Sequence, residues 1–191
     1  MKRQMICISG NIAVGKTEVA TKLSSRLGFK LYKASESFRA KAREKNMDLV
    51  EFNEYVKNNP EIDMTIEEKT KEITKDAKDM VVDARLGFFL CQDSFKVYMV
   101  SDIDTAAQRL FVAAVSRGKE EQYGSLNEAK KAIIKRENAE KDRYFKLYDV
   151  DIHDEDNYDY IIDTTNLSSD EVVEKIIKAY NVWINVDFNE G

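Results

Sequence analysis

The sequence predicts an α/β fold, a five-stranded parallel sheet with helices on both faces. Three observations carry this. Five short apolar or alternating runs are separated by segments of helical period, so consecutive strands are joined by helical crossovers and lie parallel. One proline and 7 glycines in 191 residues argue for mostly regular structure and against a loop-rich scaffold. A hydrophobic fraction of 43% beside a charged fraction of 34% is enough for a core and excludes a wholly disordered chain.

Met5 to Ser9 is an apolar run that stops at Gly10 and reads as a buried strand. Val19, Ala20, Leu23 and Leu27 then recur at helical spacing, and Gly28 closes that helix. Phe29 to Tyr32 alternates as a second strand, and Met80 to Asp83 is the third. The chain between them is far longer than a crossover needs and looks helical over Glu36–Lys45, Leu49–Lys57 and Asp63–Lys78, so residues of about 33–78 form a helical insertion. Leu86 to Leu90 is a short helix and Phe95 to Val100 the fourth strand. Helices follow over Asp104–Arg117 and Leu126–Tyr148, with Gly118 and Gly124 between them, giving a second helical excursion at about 109–148. Tyr158 to Asp163 is the fifth strand. Ser168 and Glu171 form a capping-box pattern that starts the last helix, which runs to about Trp183. The whole of 1–191 reads as one domain.

Several function classes are excluded by short counts. Two cysteines, Cys7 and Cys91, stand far apart in apolar runs and read as small buried residues, not zinc ligands. A single histidine, His153, forbids a two-histidine metal motif, and its acidic neighbourhood reads as surface. The longest apolar runs are too short to span a bilayer, and the N-terminal one is too short for a signal-peptide core. The expectation is a cytoplasmic protein with no membrane partner. A net charge of −5 argues against nucleic acid as a partner.

Gly10-Asn11-Ile12-Ala13-Val14-Gly15-Lys16-Thr17 fits G-x-x-x-x-G-K-[ST] at every fixed position, after a strand and before a helix. Gly10 lets the chain turn off the strand, and Gly15 lets backbone approach phosphate oxygens. The loop amides and the helix N-terminus face the anion. Lys16 reaches the β- and γ-phosphates, and Thr17 offers its hydroxyl to Mg²⁺. The ligand expected is ATP with Mg²⁺. Asp83, ending an apolar run, is a candidate to support that metal; a structural or helix-capping aspartate is the other reading. No guanine-reading N-K-x-D is present, and the chain is small for a motor or pump, which points to a small-molecule phosphotransferase.

The chain resembles the cytidylate kinase family, in its short archaeal-type branch of nucleoside monophosphate kinases. The likeness is carried by the Gly10–Thr17 loop, Ser35-Glu36-Ser37-Phe38-Arg39, Pro60-Glu61-Ile62-Asp63, Val81 to Gly87, Arg136-Glu137, Arg143-Tyr144 and Leu147 to Asp151. It implies phosphorylation of CMP or dCMP by ATP, with the first insertion holding the monophosphate and the second acting as a lid. It assigns Ser35, Arg39, Asp63, Arg85, Arg136, Glu140 and Arg143 to the acceptor. Arg136 and Arg143, with Lys16 and a lid arginine, Arg117, would act on the transferred phosphate. Ala84 stands where the family more often has glycine.

Judged by themselves, Arg136, Glu140 and Arg143 at i, i+4 and i+7 share a helix face and suit bidentate phosphate binding; a solvated ion-paired face has the same spacing. The Tyr and Phe clusters read as core more than as base-stacking platforms, with a place near a base left open to Phe38. Three alternatives stay open: a kinase for AMP, a kinase for a non-nucleotide acceptor, and a nucleotide-binding regulatory protein without transfer. A monomer and a homodimer are equally compatible with the sequence.

Overall fold

A computed structural model of the chain describes residues 4–47, 49–117 and 123–186, side chains at 49–50, 53–54 and 115–117 excepted. Its elements are β1 (Met5–Gly10), α1 (Lys16–Leu27), β2 (Lys30–Lys33), α2 (Ala34–Glu44), α3 (Leu49–Lys57), α4 (Glu61–Thr74), β3 (Met80–Asp83), α5 (Gly87–Leu90), β4 (Phe95–Val100), α6 (Ile103–Arg117), α7 (Leu126–Tyr148), β5 (Tyr160–Asp163) and α8 (Ser169–Asn185). All five strands are parallel, in the order β2-β3-β1-β4-β5.

β1 is central and wholly buried because both its faces are apolar. Side chains alternate across a strand, so Ile6 and Ile8 join Val19, Leu23, Val173 and Ile176 of α1 and α8 on one face. Met5 and Cys7 point the other way, onto Val82, Ala84 and Cys91, with Leu90 of α5 against them. Each fully buried Ile or Leu is worth about 1.5–3 kcal/mol. Both cysteines are buried, as expected, and neither is in a disulfide. β1 has β3 on one side and β4 on the other, so the connections diverge at its carboxyl end. In open α/β sheets ligands gather at that switch point.

The helix ends follow local chemistry. Gly28 takes a left-handed φ of 66° and its N–H returns to the Ser24 carbonyl. Ser168 and Glu171 make the complete capping box of α8. The last insertion helix differs from the expected Asp63–Lys78. It starts at Glu61 because Pro60 is pre-set for a first turn. It stops at Thr74, and Asp79, at φ 53°, turns the chain into β3. β5 begins two residues later than expected. Tyr158 turns aside to donate to the Ile152 carbonyl (2.8 Å) and to pack its ring on Tyr98.

α2, α3 and α4 enclose a small core of Ala42, Phe52, Val56, Ile62 and Ile66. Phe38 belongs to it, its ring 4.8 Å from that of Phe52 in a T-shaped pair. Its ring is engaged in the insertion's own packing, as the core reading of the aromatic residues expects. α7 is capped by Ser125, whose hydroxyl accepts from the Glu128 N–H. The expected break at Gly118 lies outside the described residues. Among the described residues, no helix is long and apolar enough to cross a membrane.

Candidate active site

Gly10 ends β1 at φ +143°, where it pairs with Met99 of β4. A Cβ there would overlap the Met99 carbonyl oxygen and lie 2.7 Å from its nitrogen, so only glycine lets β1 and β4 stay paired while the chain turns. Asn11 N–H then donates to the Met99 carbonyl (2.9 Å). Ala13 (φ 62°) and Gly15 (φ 87°) are both left-handed, which curls successive amides into a concave nest. No heavy atom lies within 4 Å of where a Gly15 Cβ would project, so the demand on Gly15 visible here is its φ. Ile12 and Val14 anchor the loop from below, both buried.

Lys16 opens α1 and folds back over the loop. Its Nζ donates to the Gly10 carbonyl (2.9 Å) and to that of Asn11. Burial, with the Arg85 guanidinium beside it, pushes its pKa down to about 7. Arg85, just past β3, donates through Nη1 to the same Gly10 carbonyl. Its Nε sits 2.9 Å from Glu140 Oε2 on α7. Thr17 Oγ1 donates to Asp83 Oδ2 (2.8 Å). A hydroxyl and a carboxylate beside a phosphate nest are hard oxygen donors of the kind Mg²⁺ takes, so these two residues fit it. Ser9 Oγ ties the loop's base to the Ala84 carbonyl (2.9 Å).

A second polar cluster is buried between α4 and α7. Arg143 Nε stands 2.8 Å from Asp63 Oδ2, without the alignment of a hydrogen bond. Glu67, one turn beyond Asp63, is 6% exposed. Among the described residues, Asp63 Oδ2, Glu67 Oε2, Arg143 Nε and Tyr148 Oη have no hydrogen-bond partner. Burial raises the Asp63 pKa against the pull of Arg143. Burial, then Asp63 beside it, raises Glu67 to about 7.

That shift makes a stability prediction. A carboxyl whose folded pKa lies above its unfolded 4.5 contributes stability that is full below pH 4.5 and lost as pH rises through 7. Glu67→Gln removes the ionisation. It should match the parent at pH 5 and exceed it by about 2 kcal/mol at pH 8. Urea unfolding at both pH values checks this; an equal difference at both would contradict it.

The structure thus brings Lys16, Thr17, Asp83, Arg85 and Glu140 to one point, and Asp63 and Arg143 to a second. α7 carries Glu140 to the first and Arg143 to the second, one turn apart. Glu140 meets Arg85 from another strand end, where helix spacing suggested orientation of its own neighbours. Arg39 and Arg136 are half-buried on α2 and α7, whereas Ser35 is exposed in the first turn of α2. The Arg117 side chain lies outside the described residues. His153 corrects the expectation of a surface residue: it is half-buried, its Nδ1 2.6 Å from Tyr98 Oη. Tyr98 Oη in turn donates to Asn11 Oδ1 (2.6 Å), which links His153 to the phosphate loop. The physical reason is the return of the segment after α7 onto β4.

Sequence reasoning assigned no role to Glu67, Tyr98 or Glu137. Glu67 had a signal, an acid one turn after Asp63 on the face that carries Ile62, Ile66 and Thr70 inward. Tyr98 had none, because its partners come from remote segments. Glu137 Oε1 accepts from the Ile12 N–H (2.9 Å), 125 positions apart.

A nest at the switch point of a parallel sheet, with its lysine and a neighbouring strand's arginine on one carbonyl, marks the class: a P-loop phosphotransferase. Residues 5–166 match the Cytidylate kinase-like family, and the chain belongs to that family. The cytidylate kinase of Archaeoglobus fulgidus is 36% identical over 178 residues, 93% of this chain and 94% of that protein. The crystal structure of an uncharacterized protein from Eubacterium ventriosum matches with a TM-score of 0.71 at 18% identity, over 95% of this chain and 99% of that one. Shikimate kinase from Acinetobacter baumannii matches at 0.61 and 14%, over 96% of each. At these identities the structural likeness shows the fold alone.

Proposed function

We propose that this protein transfers the γ-phosphoryl group of ATP to the phosphate of CMP or dCMP. The observation that carries the proposal is the meeting of Lys16 and Arg85 on the Gly10 carbonyl. Lys16 belongs to the loop that holds the donor, and Arg85 to the end of β3, on the acceptor side. A group passing between two polyanions needs positive charge from both sides at one place. Family membership supports the acceptor class.

The chain's part is positioning and charge neutralisation. The loop amides and Lys16 hold the ATP phosphates. Arg85, oriented by Glu140, and Arg39, Arg136 and Arg143 hold the acceptor phosphate, with Ser35 beside them; Arg117 closes from the lid. A phosphate acceptor is largely dianionic at pH 7, so no protein base is required. Thr17 and Asp83 would hold Mg²⁺, which neutralises phosphate charge when bound. Asp63 and Glu67 suit a base edge, where their carboxyl oxygens accept from the cytosine amino group. The excursions of about 33–78 and 109–148 exclude water, which would otherwise take the phosphoryl group.

A coupled assay with Mg-ATP and CMP, dCMP, UMP, AMP and GMP tests this. CMP and dCMP should exceed the others by about 10²-fold in kcat/KM. No turnover with any of them would reject the proposal, and a clear preference for AMP would move the assignment to another acceptor.

A further inference from the structure

Half of the phosphate loop is gripped from outside it. Ala13 holds a left-handed conformation that a residue with a Cβ resists, so the residues before it must be fixed. Ile12 supplies that anchor twice. Its side chain, 3% exposed, packs against Ala106 and Leu110 of α6 and Ala129 and Ile133 of α7. Its amide N–H donates to Glu137 Oε1 at 2.9 Å. Glu137 lies one turn after Ile133, so a single stripe of α7 holds both the side chain and the backbone of Ile12. The same stripe continues to Glu140, which holds Arg85, and to Arg143, which holds Asp63.

We propose that Glu137 is a positioning residue for ATP: its carboxylate, through the Ile12 amide, sets the curvature of the nest and passes the seating of α7 to the donor site. The Ile12 amide, engaged by a carboxylate on the side that packs on α6 and α7, is not a phosphate ligand. Glu137 therefore acts through the loop and not by touching the substrate. The role rests on the proposed kinase function for its consequence in turnover, but not for its consequence in ATP binding.

The test compares wild type with Glu137→Ala, Glu137→Gln and Glu137→Asp. Binding of a fluorescent ATP analogue is measured by titration, and the KM values for ATP and CMP by coupled assay. Glutamine keeps an acceptor oxygen at the same reach. Alanine removes it, and aspartate keeps the charge but falls short by one methylene. Glu137→Ala and Glu137→Asp should weaken the analogue and raise the ATP KM about 10-fold, with the CMP KM within about 2-fold of wild type. Glu137→Gln should stay within about 3-fold for both. Unchanged ATP affinity in Glu137→Ala and Glu137→Asp would overturn the role. Tighter ATP binding would overturn it too, since it would make the carboxylate a competitor of phosphate. Should Glu137→Ala fail to fold, Glu137→Asp against Glu137→Gln decides alone. A wild type that binds the analogue yet phosphorylates no monophosphate would end the kinase proposal and leave the titration to judge Glu137.

Discussion

Lys16→Ala is expected to slow phosphoryl transfer by about 10³-fold with the fold intact. In the proposed reaction the ammonium is the loop's own cation at the donor phosphates. It rests on two loop carbonyls, Gly10 and Asn11, which hold it at the mouth of the nest. In the proposed reaction those contacts are exchanged for phosphate oxygens. Its pKa of about 7 adds a pH signature. Polyphosphate favours the charged form, so binding above pH 7 draws a proton from solvent, and affinity falls as pH rises through that range. Calorimetry of ATP binding at pH 8 in two buffers of different ionisation enthalpy measures the uptake. It should vanish in Lys16→Ala. Turnover of that variant near the parent's would contradict the role given to Lys16.

Arg143→Leu is expected to destabilise the protein by about 3–5 kcal/mol at pH 7. The change leaves two buried carboxyl groups, Asp63 and Glu67, without the guanidinium that stands against Asp63. Breaking a buried pair costs more than the pair contributed, because the remaining charge keeps its desolvation penalty. Both acids have raised pKa values, so part of the loss should return at pH 5, where protonation removes the charge. Asp63→Asn in the Arg143→Leu background should also recover stability. Urea unfolding of the single and double variants measures this. A loss below about 1 kcal/mol for Arg143→Leu would show the cluster to be solvated rather than buried.

Much of the frame was legible before any coordinates. β1 and β3 are buried throughout and β4 mostly so, as strands covered on both sides are, and their positions were readable within a residue. The loop was legible because its residue types answer to backbone geometry: Gly10 to a close approach of β4, Gly15 to a left-handed turn. α7 was readable as one long helix, and its spacing placed Glu140 and Arg143 on a shared face. What spacing could not supply was their partners. Arg85 for Glu140 and Asp63 for Arg143 come from β3's end and from α4. His153 was misplaced for the same reason, since its acidic neighbours in sequence said nothing of Tyr98, 55 positions away.

Local chemistry alone settled that this chain builds a parallel sheet, ends its first strand in an anion nest and offers a lysine and a hydroxyl there. Those features depend on contacts within a turn or on strand periodicity, which neighbouring residues encode. Tertiary structure alone decided which guanidinium meets which carboxylate, and that α7 grips the nest through Glu137 while reaching Asp63 with Arg143. Such pairings form only when remote segments are brought together by burial of the apolar faces beneath them. Nothing in the order of residues along α7 names what lies across from it.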